Sequence, residues 1–167
     1  AEEFPSHPII VTPADTTPSG GAGFDAMWNT EFQHRLVHDH GNPSVLQEAV
    51  HGDHTRVDKL MEQLLRPAGF RGTGTAVTVV SNHDEVGNAD RTINVANGHR
   101  PLDQAGPWER GVARTTLGIG LLSPGMPIFF QGEESLADNH FSWGIPSTWD
   151  VGWDWLEKPE SPRFKHH

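Results

Sequence analysis

The sequence contains no cysteine. Neither a disulfide framework nor a thiolate metal site is open to it, and the absence fits a cytoplasmic location. Cations are scarce as well: 12 Lys and Arg stand against 22 Asp and Glu, a formal net charge of -10. Sequence-independent nucleic-acid binding needs Lys and Arg to neutralise phosphates and release counterions, so this balance argues against it. A neutral ligand such as a sugar fits better. Nor is there a long hydrophobic run. The longest, Leu117 to Phe130, is broken by Gly118, Gly120, Ser123, Pro124, Gly125 and Pro127, so it cannot supply the roughly 20 apolar residues of a membrane helix. No signal-peptide pattern opens the sequence. It starts at Ala1-Glu2-Glu3 without Met and closes on Lys165-His166-His167, from which we expect a segment of a larger protein.

What remains is the composition of a folded protein, with hydrophobic residues at 35% and charged residues at 20% of 167. That length supports one core, whereas a complete eight-stranded α/β barrel takes about 250 residues. Pro5, Pro8, Pro13 and Pro18 make the opening segment a loop around Ile9-Ile10-Val11, because proline blocks helix interiors. Gly23 to Asn29 reads as a buried parallel strand, and Glu31 to Asp39 as the helix after it. Val57, Leu60, Met61, Leu64 and Leu65 recur at helical spacing before Pro67, predicting a helix over 57–65. Thr75-Ala76-Val77-Thr78-Val79-Val80 is the clearest strand, rich in β-branched residues, and runs directly into Ser81-Asn82-His83-Asp84-Glu85. Residues 86–107 read as a long loop. Trp108 to Leu122 reads as a helix with Pro107 near its start, and Met126 to Phe130 as a further buried strand ending in Gln131-Gly132-Glu133-Glu134. The recurring order of strand, polar cluster and helix would gather the polar clusters on one rim of a parallel barrel.

Glycoside chemistry requires carboxyl groups on both sides of a sugar, one protonating the departing oxygen and another attacking or stabilising an oxocarbenium-like centre. Glu2, Asp84 and Glu133 are the carboxylates at candidate strand ends. Glu2 and Glu3 point to opposite sides of an extended segment, so only one of them can face the barrel mouth. His83 can donate to a sugar hydroxyl while Asp84 accepts from two and offsets positive charge at the anomeric carbon. Plainer readings exist for each feature. Glu2-Glu3 could be a solvated acidic pair, His83-Asp84 a capping turn, and Glu133-Glu134 a favourable charge at a helix start. His34 and His38, four apart with His40, His51 and His54 nearby, have zinc-compatible spacing but lack a firm third ligand, so no metal is expected. Gly118-Ile119-Gly120 lies within a helix and not between strand and helix, which makes close packing, not a nucleotide loop, the expectation. Trp143, Trp149, Trp153 and Trp155 read as packing residues before sugar platforms.

Val79-Val80-Ser81-Asn82-His83-Asp84-Glu85 resembles the seventh-strand segment of glycoside hydrolase family 13, the α-amylase family. Ala1-Glu2-Glu3 resembles the end of its fifth strand. Gly20 to Asn29 is similar to the sixth-strand region of glycogen branching enzymes and maltooligosyltrehalose trehalohydrolases, and Leu122 to Glu134 resembles the eighth strand. The resemblance implies an α/β fold, the C-terminal half of a (β/α)₈ barrel from about strand five to strand eight, with 1–167 one partial catalytic domain. It implies Glu2 as general acid/base and Asp84 as transition-state stabiliser, with His83, Asn82, Trp28, Asn29 and Glu133 contacting substrate. It implies an α-1,4-glucan or malto-oligosaccharide as substrate, a retaining mechanism and no cofactor. Branching of 1,4-α-glucan is the leading expectation. Trehalohydrolase or amylase-type hydrolysis is the alternative, because Phe4-Pro5 stands where branching enzymes carry Ser-Thr, Asn82 stands where they carry Ser, and Val86-Gly87-Asn88 is closer to the trehalohydrolase pattern. The family's nucleophilic aspartate ends its fourth strand, ahead of anything in this sequence. The chain by itself is therefore expected to be an inactive half-barrel that self-associates or requires its missing half.

Overall fold

The computed structural model describes residues 26–38, 43–52, 57–65, 70 and 73–140. Glu2, Glu3, Ile9 to Val11, His40, His54 and the four tryptophans beyond residue 142 lie outside them. Among the described residues the fold is mixed α/β, with a parallel sheet of β1 (Met27–Asn29), β2 (Ala76–Val79) and β3 (Met126–Ile128) in that spatial order. Trp28 pairs with Val77, and Thr78 with Pro127. All three strands run the same way, so their carboxyl ends share one edge.

β2 is the central strand and all four of its residues are buried. Its near-continuous apolar sequence is what burial on both faces demands. β3 departs from expectation: it is a strand, but a short and exposed one, with Met126 57% accessible. Its position explains this. Val80 N donates to Ile128 O at 2.8 Å, so the backbone of Ile128 faces β2, and alternation turns that of Pro127 to the opposite side. The residue that would present an outward N–H at the middle of β3 is thus proline, which has none.

The helices follow local signals. Asn29 ends β1 and its Oδ1 accepts from Phe32 N at 3.2 Å, capping α1 (Thr30–Leu36). Helix α1 stops three residues short of the predicted Asp39, its last turn closed by the N–H of Val37 donating to Gln33 O. His38 therefore leaves the helix and its Nδ1 lies 3.5 Å from Asp90 Oδ2. Helix α2 (Val45–His51), in a stretch the pattern leaves unassigned, opens with a reciprocal capping box between Ser44 and Gln47. Ser44 Oγ also donates to Val37 O at 2.6 Å, tying α2 to the end of α1. Helix α3 (Val57–Leu65) has the expected bounds.

The predicted loop over 86–107 takes in the end of α4 (His83–Gly87), the whole of α5 (Thr92–Ala96) and a 3-10 turn at Leu102–Gln104, with loop between them. Each helix has five residues, too few for a period of 3.6 to show in the sequence. Ala89 and His99 take left-handed conformations that reverse the chain between these pieces. Arg110 of α6 (Pro107–Leu122) locks the 3-10 turn, its guanidinium donating to Ala105 O at 2.9 Å and Leu102 O at 2.7 Å. The core joins Phe32 and Leu36 of α1, Leu46 of α2, Leu60 of α3, Val80, Ile93 of α5 and Ala113 of α6. Gly120 of α6 lies against Val80 so closely that a Cβ there would stand 2.0 Å from Val80 Cγ2. Close packing is thus what this glycine provides.

Candidate functional site

Past β2 the chain runs through buried Val80 and Ser81. Ser81 Oγ accepts from Phe130 N at 3.0 Å, fastening the end of β2 to the segment after β3. Asn82 turns the strand into α4: its side chain accepts from Asp84 N at 2.7 Å as the helix cap. Capping therefore falls to Asn82, and the side chains of His83 and Asp84 are left 46% and 69% exposed, with His83 Nε2 3.5 Å from Asp84 Oδ1. Asp84 lies in the first turn of α4, where the partial positive charge of the helix start favours a carboxylate.

Trp28 on neighbouring β1 is 40% exposed. Its ring meets the His83 imidazole edge-to-face, centroids 6.3 Å apart and planes at 65°. The sheet thus places an aromatic surface, an imidazole and a carboxylate side by side at the carboxyl ends of adjacent parallel strands. Such a set can lay an apolar ring face on Trp28 while hydroxyls meet His83 and Asp84. Of the expected substrate-contacting residues, Trp28 and His83 come together here beside Asp84. Asn29 and Asn82 are buried and occupied as helix caps.

Glu133 is buried to 2% exposure, with Arg91 Nη1 3.8 Å from its Oε1. Burial pushes its carboxyl above the usual range, opposed by hydrogen bonds from Thr92 and Ser81 and by the charge of Arg91. Glu133 thus faces Arg91 inside the described residues, in the segment after β3. Arg91 is the residue that sequence reasoning missed. Buried at the start of α5, it donates from Nε to Asn139 O at 2.5 Å and from Nη1 to Gln131 O at 3.0 Å. It also lies 5.6 Å from the centroid of the Phe130 ring. Forty or more residues separate the donor from these acceptors, so no local pattern announces the contact. Asn94 adds a parallel tie, donating to Asp138 O at 3.0 Å.

Asp90 is a second buried carboxylate outside the expected set. His38 approaches one of its oxygens and His99 Nε2 the other, each at 3.5 Å. The turn following α4 is thereby linked to the end of α1 and to the end of α5. An apolar cavity of 580 Å³ between α2 and α6, lined by Leu46, Val112, Trp108 and Ile119 among others, includes none of Trp28, His83 and Asp84. Among the described residues no helix is long and apolar enough to cross a membrane. No protein-family model matches the chain, and no curated protein matches it in sequence.

Proposed function

We propose that the chain is the C-terminal half of an α-amylase-family (β/α)₈ barrel whose strand-end rim holds an α-1,4-glucan. The observation that carries this reading is the exposed group Trp28, His83 and Asp84 at the carboxyl ends of two adjacent parallel strands. In barrel enzymes that end carries the chemistry. Trp28 offers a pyranose ring an apolar face, His83 donates to a hydroxyl, and Asp84 accepts from hydroxyls and stabilises positive charge at the anomeric carbon. Glu2 acts as general acid/base, and an aspartate from a strand outside this sequence forms the glycosyl-enzyme. The whole enzyme transfers the glucan to a 6-hydroxyl that Glu2 deprotonates, making a branch. Water in place of that hydroxyl gives hydrolysis.

The test is to incubate amylose with the polypeptide that unites this chain and the nucleophile strand, following reducing ends beside 1,6-linkages. New branches without growth in reducing ends are expected. Reducing ends without branches would assign the hydrolase reading, and trehalose release from a maltooligosyltrehalose the trehalohydrolase one. No turnover of any α-glucan would overturn the family reading. The isolated chain is expected to bind glucan without turning it over.

A further inference from the structure

A cavity of 420 Å³ opens between α2, α5 and α6, and its lining contains none of the strand-end residues. Its volume falls within the roughly 300–1,000 Å³ usual for small-molecule sites. One wall is α2, with Gln47, Val50 and His51, and another is the end of α5 with the turn that follows it. In that turn Asn97 is fully buried. Its Nδ2 donates to Arg100 O at 2.8 Å and to Pro101 O at 3.0 Å, while its Oδ1 accepts from nothing. Arg100 is held in place by donating from Nε to Asn97 O at 2.8 Å and by Glu109 of α6, whose Oε1 lies 3.6 Å from Nη2. His51 and His99 complete the polar lining.

The charges of this wall select the ligand. The Glu109 carboxylate and the partial negative ends of α2 and α5 disfavour an anion, and the Arg100 guanidinium disfavours a cation. Arg100 and Glu109 balance each other, so the lining is close to neutral and carries both donors and acceptors beside the apolar Val50, Val95 and Ala96. A hydroxyl group both donates and accepts, and a carbon ring covers an apolar floor. We propose that this cavity is a binding site for a neutral polyhydroxyl ligand of mono- or disaccharide size, separate from the strand-end group. The inference rests on the lining itself and stands whether or not the chain acts on glucan.

The experiment is a titration of the ¹⁵N-labelled chain with maltose, followed by amide shifts. Saturable shifts are expected at residues 47–51 and 96–100. Glu109→Gln and, separately, Arg100→Gln each remove one charge from a partly exposed side chain, and each is expected to weaken the response about tenfold, as loss of a hydrogen bond to a charged group does. His83→Ala is expected to leave the shifts at 96–100 as they are. Absence of shifts there at high maltose, or a response in both charge-removing variants as strong as in the parent, overturns the proposal. Tighter binding of ethylammonium or inorganic phosphate than of maltose overturns the choice of a neutral ligand.

Discussion

Gly118 and Gly120 lie two residues apart on α6, yet adding one methyl group at each should move stability in opposite directions. At Gly118 nothing stands within 4 Å of the position a Cβ would take. Alanine there gains the helix preference that glycine lacks, about 0.8–1 kcal/mol. At Gly120 the same methyl group would lie 2.0 Å from Val80 Cγ2. Val80 is completely buried, and its β-branched side chain has few rotamers in which to move aside. Overpacking of this kind costs about 1–3 kcal/mol. Setting the helix gain against it leaves Gly120→Ala destabilised by up to about 2 kcal/mol, and Gly120→Val by more. Urea unfolding of the two alanine variants reads the difference directly, as midpoints shifted to either side of the parent. Val80→Ala supplies the control: the clash disappears in the double variant, which should be less destabilised than the sum of the singles. If Gly120→Ala stabilises as much as Gly118→Ala, the close approach of α6 to the end of β2 is not present.

Two further predictions concern the supports of the site. Ser44→Ala removes both the α2 cap and the tie to Val37 O, and should cost about 1–2 kcal/mol in the same assay; an unchanged midpoint would mean these bonds do not persist in solution. Glu133 carries a carboxyl raised by burial, so the folded chain keeps a proton that the unfolded chain releases. Its contribution to stability is present below the ordinary glutamate range and is lost as pH rises through the window up to the raised value. Melting temperatures recorded across that window should fall less steeply for Glu133→Gln than for the parent, and parallel profiles would contradict the assignment.

The sequence made the long periodic and β-branched elements legible. Residues 57–65 show their helix through five apolar positions, and β2 shows itself through the β-branched Val77, Thr78 and Val79. The strand-end placement of His83 and Asp84 was readable for the same reason, since the strong strand runs straight into them. Elements α4 and α5 were not readable because α4 is held by its Asn82 cap and α5 by the tertiary ties of Arg91 and Asn94, not by periodicity. Exposure of β3 depends on its place at the sheet edge, which a short apolar run does not encode. The Arg91 contacts with Gln131, Glu133 and Asn139, and those of Asp90 with His38 and His99, depend on folding that brings distant residues together. Glu133 reads alike in sequence whether it faces a ligand or a buried arginine.

The central question is whether the group at the ends of β1 and β2 receives a glucan. The direct measurement is the indole N–H resonance of Trp28, assigned by its loss in Trp28→Phe, during titration with maltoheptaose. The predicted result is a saturable shift in the parent chain, weakened about tenfold in Asp84→Asn through loss of a charged acceptor, with no change in melting temperature beyond about 0.5 kcal/mol in equivalent stability because the Asp84 side chain is exposed. A Trp28 resonance that stays fixed at saturating maltoheptaose, or moves equally in Asp84→Asn, would contradict the claim.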